Sequence, residues 1–209
     1  MGLKGKSIAV LFLLLAGLVQ PAGSAEVKPL EVFSEKIFIL EIEHFASEHA
    51  LASVSVRKTV DRLNRELNIM SQERIQESLK LLAAAREDLA EALRTSAALS
   101  NYIAANSKRL QAAGHGRFLP LADLDSEIEK PYYQSLDSFL ATAGGFVRFC
   151  RDNLDAIATG QADAGRQYDK LYAAYLQEMD SFNSRSINRS RQLTDLADDY
   201  PALWELLPR

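Results

Sequence analysis

Glu41, His44 and Glu48 are the residues whose types and spacing come closest to chemistry in this chain. On a helix, steps of three and four put them on one face, where two carboxylates and an imidazole can be offered to a metal ion. His49 stands beside them on the neighbouring row. A di-iron centre of the ferritin-like kind also needs a second Glu-x-x-His on another helix and further inward carboxylates. The remaining histidine, His115, lies between Gly114 and Gly116, so that second half is missing. The plainer reading is a pair of histidines at the margin of a core with solvated glutamates next to them. No metal and no cofactor is therefore expected, with Glu41, His44 and Glu48 kept as the candidates for a single zinc or copper ion.

Catalytic motifs are absent from the sequence. No serine sits in a Gly-x-Ser-x-Gly elbow, and there is no Gly-rich phosphate loop, Cys-x-x-Cys pair or haem-attachment motif. An enzyme is not expected. Cys150, the single cysteine, falls on an apolar helical stripe and reads as a small core residue rather than a reactive thiol.

Three further constellations bear on binding. Arg185, Arg189 and Arg191 lie in a polar stretch with Asn183, Ser184, Ser186, Asn188 and Ser190. Their forked guanidinium groups can hold an anion or an acidic partner, although a solvated helix face has the same composition. Asn188-Arg-Ser190 also fits the N-glycosylation pattern. Gly144, Gly145 and Phe146 of one helix and Tyr172 and Tyr175 of the last could wall a pocket for an apolar or aromatic ligand. Spacing alone does not separate such a pocket from packed core. Leu203, Trp204, Leu206 and Leu207 make an apolar tail that either folds back over the helices or docks into a partner.

The elements that must position these groups are helices. Leu136, Leu140, Ala143, Val147, Cys150, Leu154 and Ile157 recur at four and three, a stripe that partner helices must cover. Phe139, Phe146 and Phe149 widen it, so this segment is the expected central core helix. Ahead of it, Phe33, Ile37, Leu40 and His44 form one row and Phe38, Ile42, Phe45 and His49 the next, with Pro29 at the helix start. Ala50 to Val56, rich in serine and valine, is where a kink or early break is expected.

The interruption at residues 68–72 has two readings, a tight turn or an irregularity in one long helix, and the turn is preferred because it gives four helices of similar length. Gly114, His115 and Gly116 end the next helix. Ser126 and Glu129 have capping-box spacing before Pro131. The Gly144 and Gly145 pair suggests close contact with another helix. Asp163 is a fair cap for the last helix.

The chain of 209 residues carries 47% hydrophobic and 25% charged residues, ordinary globular usage. Lys4 and Lys6 precede an apolar run from Ile8 to Val19, followed by Pro21 and small residues to Ala25. That order is a secretory signal peptide, and the run is short for a membrane-spanning helix, which needs about 20 residues. Cleavage after Ala25 leaves 22 basic residues against 28 acidic, a net charge of −6. Nucleic acid is not an expected partner of so acidic a chain.

The expectation is thus an all-α protein: a signal peptide over residues 1–25, a long-helix up-and-down four-helix bundle over 26–198 with coiled-coil-like seams, and a short apolar tail helix over 199–209. It is expected to be periplasmic or secreted, with no stable span in the mature chain. Its expected role is non-enzymatic, through contacts with a protein partner as an accessory, adaptor or assembly factor of the cell envelope. A soluble ligand-binding or sensory bundle, with a small-molecule ligand, is the first alternative. A metal-handling protein is the second.

Overall fold

The computed structural model describes the backbone of residues 28–208 and the side chains of residues 36–208. The expected signal peptide, residues 1–25, lies outside the described residues. The chain divides into two units, residues 1–37 and 38–209. Of the first, the helical backbone from Lys28 is described, and the packing below is that of the second.

All secondary structure among the described residues is helical. The α-helices are α1 (Lys28–Glu66), α2 (Gln72–Ala105), α3 (Ser107–Ala112), α4 (Lys130–Asp152), α5 (Leu154–Ala158) and α6 (Ala162–Asp199). Tight 3-10 turns cover Gly116–Ala122 and Pro201–Leu203, and a wide π turn covers Asp125–Glu129. No helix among the described residues is long and apolar enough to cross a membrane.

Residues 67–71 form a turn, without glycine or proline. Side chains do the work instead: Asn68 Oδ1 accepts from the Met70 amide, and Ser78 Oγ both accepts from the Asn68 amide and donates to its carbonyl. Ser71 then caps α2 by accepting from the Arg74 amide. The chain reverses here. Ser55 and Thr59, late in α1, both donate to Asp88, whereas Tyr102, late in α2, donates to Glu41. Helix α4 likewise opposes α2, with Gln72 Nε2 donating to the Arg151 carbonyl at 3.0 Å. Against α6, the Tyr132 ring meets Phe182 and the Phe146 ring meets Tyr168, so these two helices are antiparallel as well.

Helix α4 is central, as its stripe requires. Leu136, Phe139, Leu140, Ala143, Phe146, Val147 and Cys150 are all buried. Each fully buried large side chain contributes about 1.5–3 kcal/mol. The stripe is not one helix to Ile157, however, because Asn153 interrupts it and its Nδ2 donates back to the Phe149 carbonyl.

Other expectations need correction. Helix α1 runs unbroken through Ala50–Val56, so no early break occurs there. Ser126 donates to the Asp123 carbonyl and makes no capping box, while Glu129 is fully buried. An added Cβ at Gly145 would meet nothing within 4 Å, and the nearest atoms to one at Gly144 belong to the Arg148 side chain of the same helix, so no close approach of another helix calls for Gly145. Gln161, not Asp163, stands at the N-cap of α6.

The apolar interior falls into two clusters. One gathers Val56, Leu63, Leu82, Leu89, Leu136, Phe139, Phe146 and Phe182, and the other Phe38, Ile42, Leu99, Ile103, Leu121, Leu193, Leu203 and Leu207. Along α1 the change from one to the other falls at His49 and Ser53, along α2 at Thr95 and Ser96, and along α6 near Arg189. Glu129 marks it at the start of α4. A polar layer therefore crosses the interior between two greasy ones.

Candidate functional site

Pro131 sets the first of these groups in place. It has no amide to donate, and its ring crowds the carbonyl four residues back, so an ordinary α-turn is disfavoured just before it. The chain widens into the π turn instead, with the Lys130 amide on the Asp125 carbonyl. Single π turns inside helices recur at functional sites. On the last residue of this one, Glu129 is turned inward and is fully buried.

Arg189 of α6 closes on it. Its Nε lies 3.0 Å from Oε2 and its Nη2 2.8 Å from Oε1, the forked pairing that fixes both groups. Nη2 also donates to Ser53 Oγ of α1 at 3.0 Å, and the guanidinium carbon sits 4.8 Å from the centre of the Tyr132 ring. On the other side, His49 Nε2 is 3.7 Å from Glu129 Oε1, beyond hydrogen-bond range but close enough for charge to matter. Thr95 Oγ1 lies 3.0 and 3.1 Å from the Glu91 and Ala92 carbonyls of its own helix. With its proton directed there, it accepts from His49 Nδ1 at 3.4 Å.

Burial alone would push the Glu129 carboxyl up, but His49 and Arg189 together hold it below its ordinary value. Burial likewise works against the Arg189 cation, and Glu129 more than offsets it. Desolvation, with the nearby Glu129 charge second, raises Tyr133, whose hydroxyl is buried without a hydrogen-bond partner among the described residues. The layer thus holds a fixed ion pair. Such pairs are costly to desolvate, and apolar replacements of similar size are often at least as stable.

One edge of the layer opens into a cavity of about 340 Å³. Its walls are Ser53 and Arg57 of α1, Tyr132 of α4, Ser186, Arg189, Ser190, Leu193, Thr194 and Ala197 of α6, and Trp204, Leu207 and Pro208 of the tail. Volumes of about 300–1,000 Å³ are usual for small-molecule sites. His49 and Glu129 do not line it; Glu129 braces Arg189 from behind, with His49 on its far side.

Of the residues singled out from sequence, the structure brings together Phe146, Tyr172 and Tyr175, and Arg189, Trp204 and Leu207, and separates the rest. Of the arginine strip, Arg189 is inside at 11% side-chain exposure, whereas Arg185 and Arg191 are exposed. Leu203 and Leu207 of the tail are buried against the chain itself, Leu206 is half-buried, and Trp204 is 44% exposed at the cavity mouth. Phe146 packs its ring on Tyr168, Tyr172 and Tyr175, with centroids 5.4–5.8 Å apart, beside Gly144 and Gly145. Glu41 accepts from the Tyr102 hydroxyl, and His44 Nε2 lies 3.5 Å from Glu48. No group of three or more His, Cys, Asp or Glu among the described residues is placed to hold a metal.

Ser53, Arg57, Thr95, Glu129 and Tyr132 were not singled out by sequence reasoning as site residues. The available signal was His49 and Ser53, polar residues on the stripe that Ile42, Val56 and Val60 otherwise keep apolar.

Comparison of the chain with protein-family profiles, with curated proteins and with solved structures finds no match. The fold and the site therefore define no more than a class: an all-helical protein with a buried charge cluster backing a cavity.

Proposed function

We propose that this is an exported, non-enzymatic binding protein, an up-and-down bundle of the four long helices α1, α2, α4 and α6 that holds a small molecule beneath its C-terminal tail. The observation that carries the reading is Arg189, a guanidinium fixed from behind by Glu129 and aimed at the wall of a cavity of ligand size. Pre-fixed polar groups at an otherwise apolar wall are what orient a bound ligand. Binding is favoured over catalysis because Glu129 is committed to Arg189 and the imidazole of His49 lies behind it. The antiparallel order of successive helices supports the bundle, and the residues up to Ala25 support export.

Native mass spectrometry of protein recovered gently from its own host tests this reading beside the same sample denatured. An added mass of small-molecule size that disappears on denaturation is expected. Protein of bare chain mass in every preparation contradicts it. The denatured mass also tests removal of residues 1–25.

A second reading, contact with a protein partner, is favoured by the exposure of Trp204 and of Arg185 and Arg191. Leu203 and Leu207 are unsuitable probes for it, being buried. Trp204→Ala together with Arg185→Ala is the fitting variant: loss of a co-purifying protein supports partner docking, and its retention removes the tail from that role.

A further inference from the structure

We propose that the cavity takes an amphipathic monoanion, a carboxylate with a short apolar chain, an inference that rests on the small-molecule reading above. The walls are divided by chemistry. Around Arg189 stand Arg57, a donor only, and Ser53, Ser186 and Ser190, whose hydroxyls can donate as well as accept. Two of the three guanidinium nitrogens of Arg189 are used by Glu129 and Ser53, and Nη1 makes no hydrogen bond to a described residue. Further along α6 the wall becomes Leu193 and Ala197, joined by Leu207 and Trp204. Leu193, Ala197 and Leu207 belong to one buried apolar cluster. From Arg189 to Ala197 the helix rises about 12 Å, room for a chain of medium length.

Charge decides the head group. No acidic side chain among the described residues lines the cavity. The Arg189 cation is balanced by Glu129 beneath the wall, whereas Arg57 makes no ion pair among the described residues. Within the lining itself one positive charge is left over at the polar end, with Asp61 off the lining. A carboxylate neutralises it and is matched in shape to a guanidinium. An ammonium group would meet it with like charge, and an alcohol would leave it unpaired.

Trp204 is the only tryptophan, so its emission reports on this cavity alone. The experiment titrates the full mature protein with octanoate, octanol and octylamine, in the wild type and in Arg57→Gln. Octanoate is expected to saturate the emission change at a concentration about tenfold or more below octanol, with octylamine weakest. Arg57→Gln is expected to bring octanoate and octanol together, and added salt to weaken octanoate. Octanol or octylamine binding as well as octanoate, or an unchanged preference in Arg57→Gln, overturns the anion while leaving a small-molecule site in place. Absence of any response to all three in folded protein overturns the site itself.

Discussion

Arg189 and Glu129, 60 residues apart in sequence, meet through two forked contacts of 3.0 and 2.8 Å inside the protein. Glu129 has no exposed surface, and the guanidinium shows only 11% of its side chain. Glu129 has no water to fall back on, and Arg189 meets it only at the cavity wall. Removing one therefore leaves the other stranded, whereas removing both leaves only a packing problem.

Glu129→Ala is accordingly expected to lower unfolding free energy by about 3–5 kcal/mol. The double variant Glu129→Leu with Arg189→Met is expected to recover most of that loss. Urea denaturation of Glu129→Leu, Arg189→Met and the double checks it through the coupling between them. Additive losses would mean the pair is not coupled.

Acid should reveal the same carboxylate. Its folded value lies below the ordinary 4.5, so its stabilising contribution is complete above that value and is lost as pH falls through the lower folded one. The wild type is thus expected to lose more stability between neutral pH and pH of about 3 than Glu129→Gln does. Melting temperatures across that range measure the difference, and parallel curves for the two proteins would count against the assignment.

Cys150 is buried in the last turn of α4, and desolvation pushes its thiol up to about 11. The thiolate is the reactive form, so alkylation by iodoacetamide at neutral pH is expected to be slow in folded protein and rapid in urea. Mass spectrometry after timed quenching reads this directly. Equal rates in the two states would place the thiol outside the core.

Gly145 occupies a mid-helix position where a Cβ has open space around it. Alanine there removes backbone freedom from the unfolded chain at no steric cost, a gain of about 0.5–1 kcal/mol. A loss on Gly145→Ala in thermal unfolding would mean that the position serves a close approach after all.

These outcomes bear on what was legible in the sequence. The stripe from Leu136 to Cys150 announces α4 because a buried helix must repeat its apolar residues at its own period. Gly114 is equally plain, since its φ of 77° ends the helical stretch in a conformation that favours glycine. The turn after Glu66 shows no such punctuation, and depends on Asn68 and Ser78, which become partners only once α2 has formed. The site was hidden for a related reason. His49, Glu129 and Arg189 lie on three different elements, and each alone resembles something ordinary: a margin histidine, a helix cap, a solvated arginine. Only the π turn before Pro131 and the packing of α1 against α6 bring them together.

A small molecule held in the cavity beside Arg189 can be detected at a single atom of Trp204. Its indole N–H gives one resonance in a ¹H–¹⁵N spectrum, because the chain has one tryptophan. The spectrum is recorded on labelled protein isolated gently from its host, then after unfolding, dialysis and refolding, and again after a host extract is added back. With a bound ligand, this resonance is expected to move when the protein is stripped and to return with the extract. A resonance that stays in place through all three, in protein that refolds fully, contradicts such binding.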